Sequence, residues 1–132
     1  MTKQELIQAA VDMKKRAYCP YSHFAVGAAL ECSDGSVFTG CNIENASFSL
    51  TLCAERAAAS KAISEGHTDF IRIAVAGSGD DYCAPCGACR QFLSEFCAKA
   101  DMEVIAVNSG GEAKTYLLSQ LLPSAFGDDT MN

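Results

Sequence analysis

Cys53-Ala54-Glu55-Arg56-Ala57-Ala58-Ala59-Ser60-Lys61-Ala62-Ile63-Ser64-Glu65-Gly66, followed after a short polar link by Ile71-Arg72-Ile73-Ala74-Val75-Ala76, is the stretch that decides the fold. The first part is rich in alanine and has no Pro or Gly before Gly66, which sits where a helix C-terminal glycine belongs, so it predicts a helix over 53–65. Ala54, Ala57, Ala58 and Ala62 give that helix a thin face that lets another backbone approach. The second part is a compact apolar run of strand length. A loop with Gly77, Gly79, Asp80, Asp81 and Pro85 then leads to a further helix starting near Cys86 or Gly87, with Phe92, Leu93, Phe96 and Cys97 on one side. Val104 to Val107 is the next strand. Helices alternating with strands favour a sheet with helices on its faces over a bundle or a sandwich.

Outward from this centre, Thr2 and Glu5 have the spacing of a capping box, and Leu6, Ala10, Met13 and Ala17 follow at helical intervals, predicting a first helix at about 2 to 17. Pro20 restricts Cys19 to extended geometry and breaks the pattern. Ala25 to Cys32 and Val37 to Ile43 are apolar runs joined by Ser33-Asp34-Gly35-Ser36, whose Asp-Gly pair suits the tight turn of a hairpin. Asn108-Ser109-Gly110-Gly111 turns the chain into a strand around Ala113 to Tyr116, and a Leu-rich segment ends at Pro123. Gly127 to Asn132 reads as a loose tail. The expected architecture is an α/β layered domain, with a mixed central sheet of about five strands and helices packed on its faces.

At 132 residues the chain is expected to be a single domain, 1–132, with one site on one core. Apolar residues make up 49% and charged residues 20%, so a core forms without help from a disulfide or metal. Ten Lys and Arg against sixteen Asp and Glu leave a net charge of −6. That balance disfavours a nucleic-acid substrate, whose phosphates need a basic face. Lys3, Glu5 and Asp12 interrupt anything like the apolar centre of an export signal, and no run approaches a membrane span. The expected compartment is the reducing cytoplasm, where closely spaced cysteines serve as metal ligands or catalytic thiols rather than disulfides.

The eight cysteines are unevenly placed. Cys86-Gly87-Ala88-Cys89 puts two thiols at a loop-to-helix junction, where both reach one ion and the helix amides favour thiolates. Cys53 begins the other central helix. If the two helices lie side by side, three thiolates meet at one point, and a zinc site with three protein ligands keeps its fourth position open, as catalytic sites do. Glu55, on the same first turn as Cys53, is then a proton-shuttle candidate. Three thiolates on Zn²⁺ leave a formal charge of −1, so a positive donor nearby matters, and Arg56 is expected to supply it, with Arg90 within a turn of a ligand as well. Rival readings are a thiol-redox pair, an iron–sulfur run through Cys83-x-x-Cys86-x-x-Cys89, and a closed structural zinc site with Cys83 as fourth ligand. The iron–sulfur run lacks its fourth Cys-Pro pair, since that place holds Leu93-Ser94. Cys19, Cys32, Cys41 and Cys97 read as ordinary thiols.

Taken together, Phe24-Ala25-Val26-Gly27-Ala28-Ala29-Leu30, Gly40-Cys41-Asn42-Ile43-Glu44-Asn45-Ala46, Cys53-Ala54-Glu55-Arg56 and Pro85-Cys86-Gly87-Ala88-Cys89-Arg90-Gln91 resemble the small, homotetrameric cytidine deaminases over nearly the whole length. The resemblance implies hydrolytic deamination of free cytidine and deoxycytidine, with one Zn²⁺ per subunit held by Cys53, Cys86 and Cys89. It implies that Glu55 takes a proton from the attacking water, passes it to N3 of the pyrimidine and delivers the second to the leaving amine. It assigns Asn42 and Glu44 to the ribose 3′-hydroxyl, Phe24 to the face of the base, Ala54 to a backbone donor at the pyrimidine edge, and Phe126 to a neighbouring subunit's site. Phe48 departs from the tyrosine that many relatives carry. The implied partners are a nucleoside and further copies of the chain, in a homotetramer with sites near the subunit interfaces, without nucleic acid or membrane. The nearest alternative is a deaminase of another cytosine-bearing molecule, of the blasticidin type, in which the Asn42 and Glu44 pair is expected to be lost.

Overall fold

The computed structural model describes residues 1–97 and 100–127, so most of the tail expected at Gly127 to Asn132 lies outside the described residues. Thr2 caps helix α1 (Lys3–Met13) by the expected box: its hydroxyl accepts from the Glu5 amide at 3.1 Å while the Glu5 carboxylate accepts from the Thr2 amide at 2.9 Å. The hairpin is β1 (Gly27–Cys32) and β2 (Val37–Cys41), turned at Gly35 with φ +90°. Helix α2 (Ala54–Ser64), strand β3 (Phe70–Ala76), helix α3 (Gly87–Ser94), strands β4 (Glu103–Val107) and β5 (Ala113–Leu117), and the short α4 (Leu118–Leu121) follow.

The five strands form one sheet in the order β2-β1-β3-β4-β5, with β3 and β4 parallel and the other pairs antiparallel. The parallel pair forces a crossover, and α3 makes it. Alternation along the central strands sorts the core into two layers. Leu30, Ile73, Val75 and Val104 face α2 and α3, with Phe70 and Met102 filling the same layer. Ala29, Ala74, Ala76, Ile105 and Val107 face Leu6, Ile7 and Ala10 of α1. The fold is thus a three-layered α/β domain, as expected of a mixed sheet with helices on its faces.

Small residues set the spacing between layers. A methyl group on Gly27 would stand 2.0 Å from the Ala10 carbonyl oxygen, so α1 rests directly on β1. A methyl on Gly40 would meet the Ala58 amide nitrogen at 2.5 Å and the Ala54 carbonyl at 2.6 Å, so the alanine face of α2 lies against the backbone of β2.

Two boundaries differ from the sequence reading. The first helix ends at Met13 and tightens into a 3₁₀ turn at Lys14–Arg16 rather than running to residue 17. Tyr18 is drawn off into a bridge beside Ile43, its amide donating to the Asn42 carbonyl at 2.9 Å. For the same reason the hairpin stops at Cys41: the Asn42 amide still meets the Val26 carbonyl in register at 3.1 Å, but its carbonyl is taken by Tyr18, and Ile43 bridges Tyr18 on one side and Leu52 on the other.

Candidate active site

The N-terminal ends of α2 and α3 meet beside the sheet. Cys53 and Cys86 are the N-cap residues, extended in backbone and without side-chain capping bonds, so neither thiol is spent on its helix. Cys89 stands one turn into α3 and is buried. The sulfurs lie 3.9 Å apart for Cys53 and Cys86 and 3.5 Å apart for Cys86 and Cys89, all three within 4.8 Å of one another. Three sulfurs around one tetrahedral zinc at the usual bond length stand about 3.8 Å apart, so the donor set fits zinc in chemistry and in span. Cys83 is outside this group. The structure therefore favours neither the iron–sulfur run nor the closed four-thiolate site, and burial pushes the Cys83 thiol up to about 11.

Charge at the cluster is unevenly shared. The Cys89 thiol, hydrogen-bonded to Cys53, holds the latter well below the ordinary thiol range, and Arg56 adds to the effect. The same sharing, together with burial, pushes Cys89 up. Arg56 Nη2 stands 3.7 Å from Cys53 Sγ and 3.4 Å from the Thr51 carbonyl, as expected of the positive donor, while its Nε is buried with no hydrogen-bond partner among the described residues. Arg90 does something else: its guanidinium donates to the Pro85 and Leu121 carbonyls at 2.7 and 2.8 Å, clamping the loop before α3 to the end of α4.

Glu55 is 4% exposed, in the first turn of α2. Burial pushes its carboxyl up to about 7, against the opposing pull of its own backbone amide. A cavity of about 220 Å³ opens onto it, lined by Val26, Asn42, Thr51 and Leu52 on one side and by Cys53, Ala54, Cys83, Ala84 and Cys86 on the other. Ala54, the first helical residue, is fully buried, and its amide is one of the first-turn donors that no helical carbonyl can reach.

Asn42 and Glu44 are buried beneath the segment 18–26 and bind it from below. The Asn42 side chain accepts from the Val26 amide at 2.9 Å and donates to the Phe24 carbonyl at 2.8 Å. Glu44 accepts from the Tyr21 and Ser22 amides at 3.0 and 3.1 Å and from the Ser22 hydroxyl. The Ser22 hydroxyl is the main reason its carboxyl is held below the usual range. Phe24 lies over the loop after β3, where a Cβ on Gly79 would come within 3.3 Å of its ring. Phe126 is 58% exposed, its carbonyl accepting from Gln91 at 2.9 Å, and it does not line the cavity of its own chain.

Sequence reasoning passed over Val26, Thr51 and Leu52 as cavity walls and Ser22 as a partner of Glu44. Thr51 and Leu52 directly precede Cys53 and carry that signal by adjacency. Ser22 carries none, because its partner is 22 positions away.

Comparison with known proteins gives a consistent answer. The family model described as "Cytidine and deoxycytidylate deaminase zinc-binding region" matches residues 1–105. A cytidine deaminase of Halalkalibacterium halodurans is 49% identical over 132 residues, covering 100% of this chain and 99% of its own. A probable cytidine deaminase of Dictyostelium discoideum is 45% identical, covering 99% of this chain and 90% of its own. Among solved structures, the cytidine deaminase of Burkholderia pseudomallei superposes with a TM-score of 0.90 at 47% identity, covering 96% of this chain and 100% of that one. That of Mycobacterium tuberculosis superposes at 0.83 and 37% identity, covering 96% and 98%.

Proposed function

The chain belongs to the cytidine and deoxycytidylate deaminase zinc-binding family, and from that premise we propose that it hydrolyses free cytidine and deoxycytidine to uridine and deoxyuridine, releasing ammonia. It is an enzyme whose cofactor is zinc, one ion per chain. The observation that carries the reading is the buried Glu55 carboxyl sharing one cavity with two of three clustered thiols.

Cys53, Cys86 and Cys89 hold the zinc, which when bound supplies the Lewis acidity that makes water nucleophilic near neutral pH. Glu55 is the proton carrier. It removes a proton from the water that attacks C4 and places it on N3, then conveys the second proton to the exocyclic amine, which leaves as ammonia. A carboxyl raised toward neutrality by burial suits a group that must act as base and then as acid. The Ala54 amide donates to the edge of the pyrimidine, and Phe24 covers its face. Arg56 offsets the negative charge of the thiolates.

Asn42 and Glu44 read the sugar. Each still has hydrogen-bonding capacity after binding the segment above it: one N–H of the Asn42 amide and an acceptor site on the Glu44 carboxylate. A hydroxyl that accepts from the first and donates to the second satisfies both, which suits the ribose 3′-hydroxyl. Residues 1–132 act as one deaminase domain, assembled as a homotetramer in which Phe126 reaches a neighbouring site. Three free thiols in one cluster suit the reducing cytoplasm, where the reaction serves the salvage of pyrimidine nucleosides.

The test follows the loss of cytidine ultraviolet absorbance with the purified protein beside Glu55→Ala, with zinc measured in both. Turnover by the parent and its collapse by a factor of ~10² or more in the variant, at equal zinc, is the expected result. No turnover despite bound zinc would redirect the search to another cytosine-bearing molecule.

A further inference from the structure

Residues 18–26 form a strap that reaches the cavity at Val26 and has almost no regular structure of its own. The bridge at Tyr18, the bonds from Asn42 and Glu44, and the Ser78 hydroxyl, which donates to the Ala25 carbonyl at 2.7 Å, tie it down. His23 takes the left-handed conformation at φ 57°, uncommon for a residue with a side chain, and its amide closes a turn onto the Cys19 carbonyl at 3.0 Å. A backbone held in that region needs fixed neighbours on either side.

Ser22 supplies one of them. A hydroxyl has a single proton to give, and Ser22 gives it to Oε2 of Glu44. Ser22 Oγ in turn accepts from the Phe24 amide at 3.1 Å. Ser22 is therefore the link between the carboxylate read above as a sugar contact and the aromatic read as the cover of the base. Oε1 of Glu44 is held by two backbone amides, whereas among the described residues Oε2 has only the Ser22 hydroxyl. Without that hydroxyl, Oε2 loses its fixed donor and the Phe24 amide loses its acceptor together.

We propose that Ser22 is a positioning residue for the deamination, aiming Glu44 at the sugar and Phe24 at the base through one hydroxyl, so that the two contacts are gained or lost together. The inference rests on the reading of Glu44 as a sugar contact. It adds that the strap joins the sugar and base halves of recognition.

The experiment compares zinc-loaded parent, Ser22→Ala, Ser22→Thr and Glu44→Gln on cytidine and on 2′,3′-dideoxycytidine. Zinc content and melting temperature are recorded for each. Ser22→Ala is expected to raise KM for cytidine about tenfold, as loss of one hydrogen bond to a charged group does, while retaining its zinc. Ser22→Thr keeps the hydroxyl at an exposed position and is expected to restore KM to within about threefold. The penalty of Ser22→Ala is expected to be at least about threefold smaller on the dideoxy substrate, which has no 3′-hydroxyl for Glu44 to read. A merely structural serine would give equal penalties on both substrates, and that result overturns the proposal. So does an unchanged KM in Ser22→Ala alongside a raised one in Glu44→Gln, which leaves the sugar reading standing. An unchanged KM in Glu44→Gln overturns the sugar reading and the inference with it.

Discussion

At the residue scale, the question the proposed site raises is how three sulfurs would share one ion without making it too electron-rich to act. Each thiolate donates charge, and three of them on a divalent cation weaken it as a Lewis acid. Arg56 answers by standing 3.7 Å from Cys53 Sγ on the same helix that carries Glu55. Its second anchor, the Thr51 carbonyl at 3.4 Å, fixes the guanidinium beside the sulfur rather than leaving it to roam. Arg56→Ala is expected to speed zinc loss to a competing chelator by roughly tenfold or more, the usual cost of losing a partner of a metal ligand, and to lower kcat. Release timed with a colorimetric chelator and kcat measured on protein with one zinc per chain separate the two effects. A variant that matched the parent in both would remove Arg56 from the site.

At the element scale, the proposed catalytic constellation depends on how closely α2 approaches β2. Cys53, Ala54 and Glu55 occupy the first turn of α2, and Gly40 lies against Ala54 and Ala58. Gly40→Ala would put a methyl group 2.5 Å from a backbone nitrogen and 2.6 Å from a carbonyl oxygen, neither of which can swing away. The helix must then lift, and a cost of about 1–3 kcal/mol is expected in denaturant unfolding, the range for overpacking a filled core. Zinc affinity is expected to fall with it, since the Cys53 end of α2 moves relative to α3; unchanged stability would show that the contact relaxes cheaply. Contacts of this kind mark what sequence could and could not reveal. The alanine face of α2, the apolar run of β3 and the Cys-x-x-Cys of α3 announce themselves within a few residues, because propensity, periodicity and ligand spacing are local. The early end of α1 and of the hairpin did not, because Tyr18 pairs with Asn42 and Ile43, far along the chain. The Glu44 and Ser22 link was hidden for the same reason: nothing in Tyr21-Ser22-His23 says which carboxylate its amides and hydroxyl will meet.

At the scale of the whole molecule, apolar surface gathers beside the cavity. Tyr18, Tyr21, Ile43, Phe48, Leu50 and Leu52 are all substantially exposed, with Phe48 at 70%. They fall into two connected groups. Ile43 bridges both Tyr18 and Leu52, and the Tyr21 and Phe48 rings meet edge to face at 6.0 Å. Single exposed apolar residues are ordinary, but a contiguous group marks an interaction surface, and closed symmetry among copies of one chain is the commonest way such a surface is covered. Leu52 belongs both to this patch and to the cavity wall, so a subunit seated on the patch would also help to shape the mouth of the site. Placing a charge on the patch then has a double consequence. Phe48→Asp should fail to assemble and should lose turnover at the concentration where it fails, although its own zinc cluster lies on a different segment of the chain. Light scattering on the parent is expected to give a mass four times the 13.9 kDa of one chain, and the variant a lower one with activity falling in parallel. A parent that ran as a single chain with full turnover would break the link between patch and site, and would leave Phe24, Glu55 and the three thiols as a site complete within one subunit.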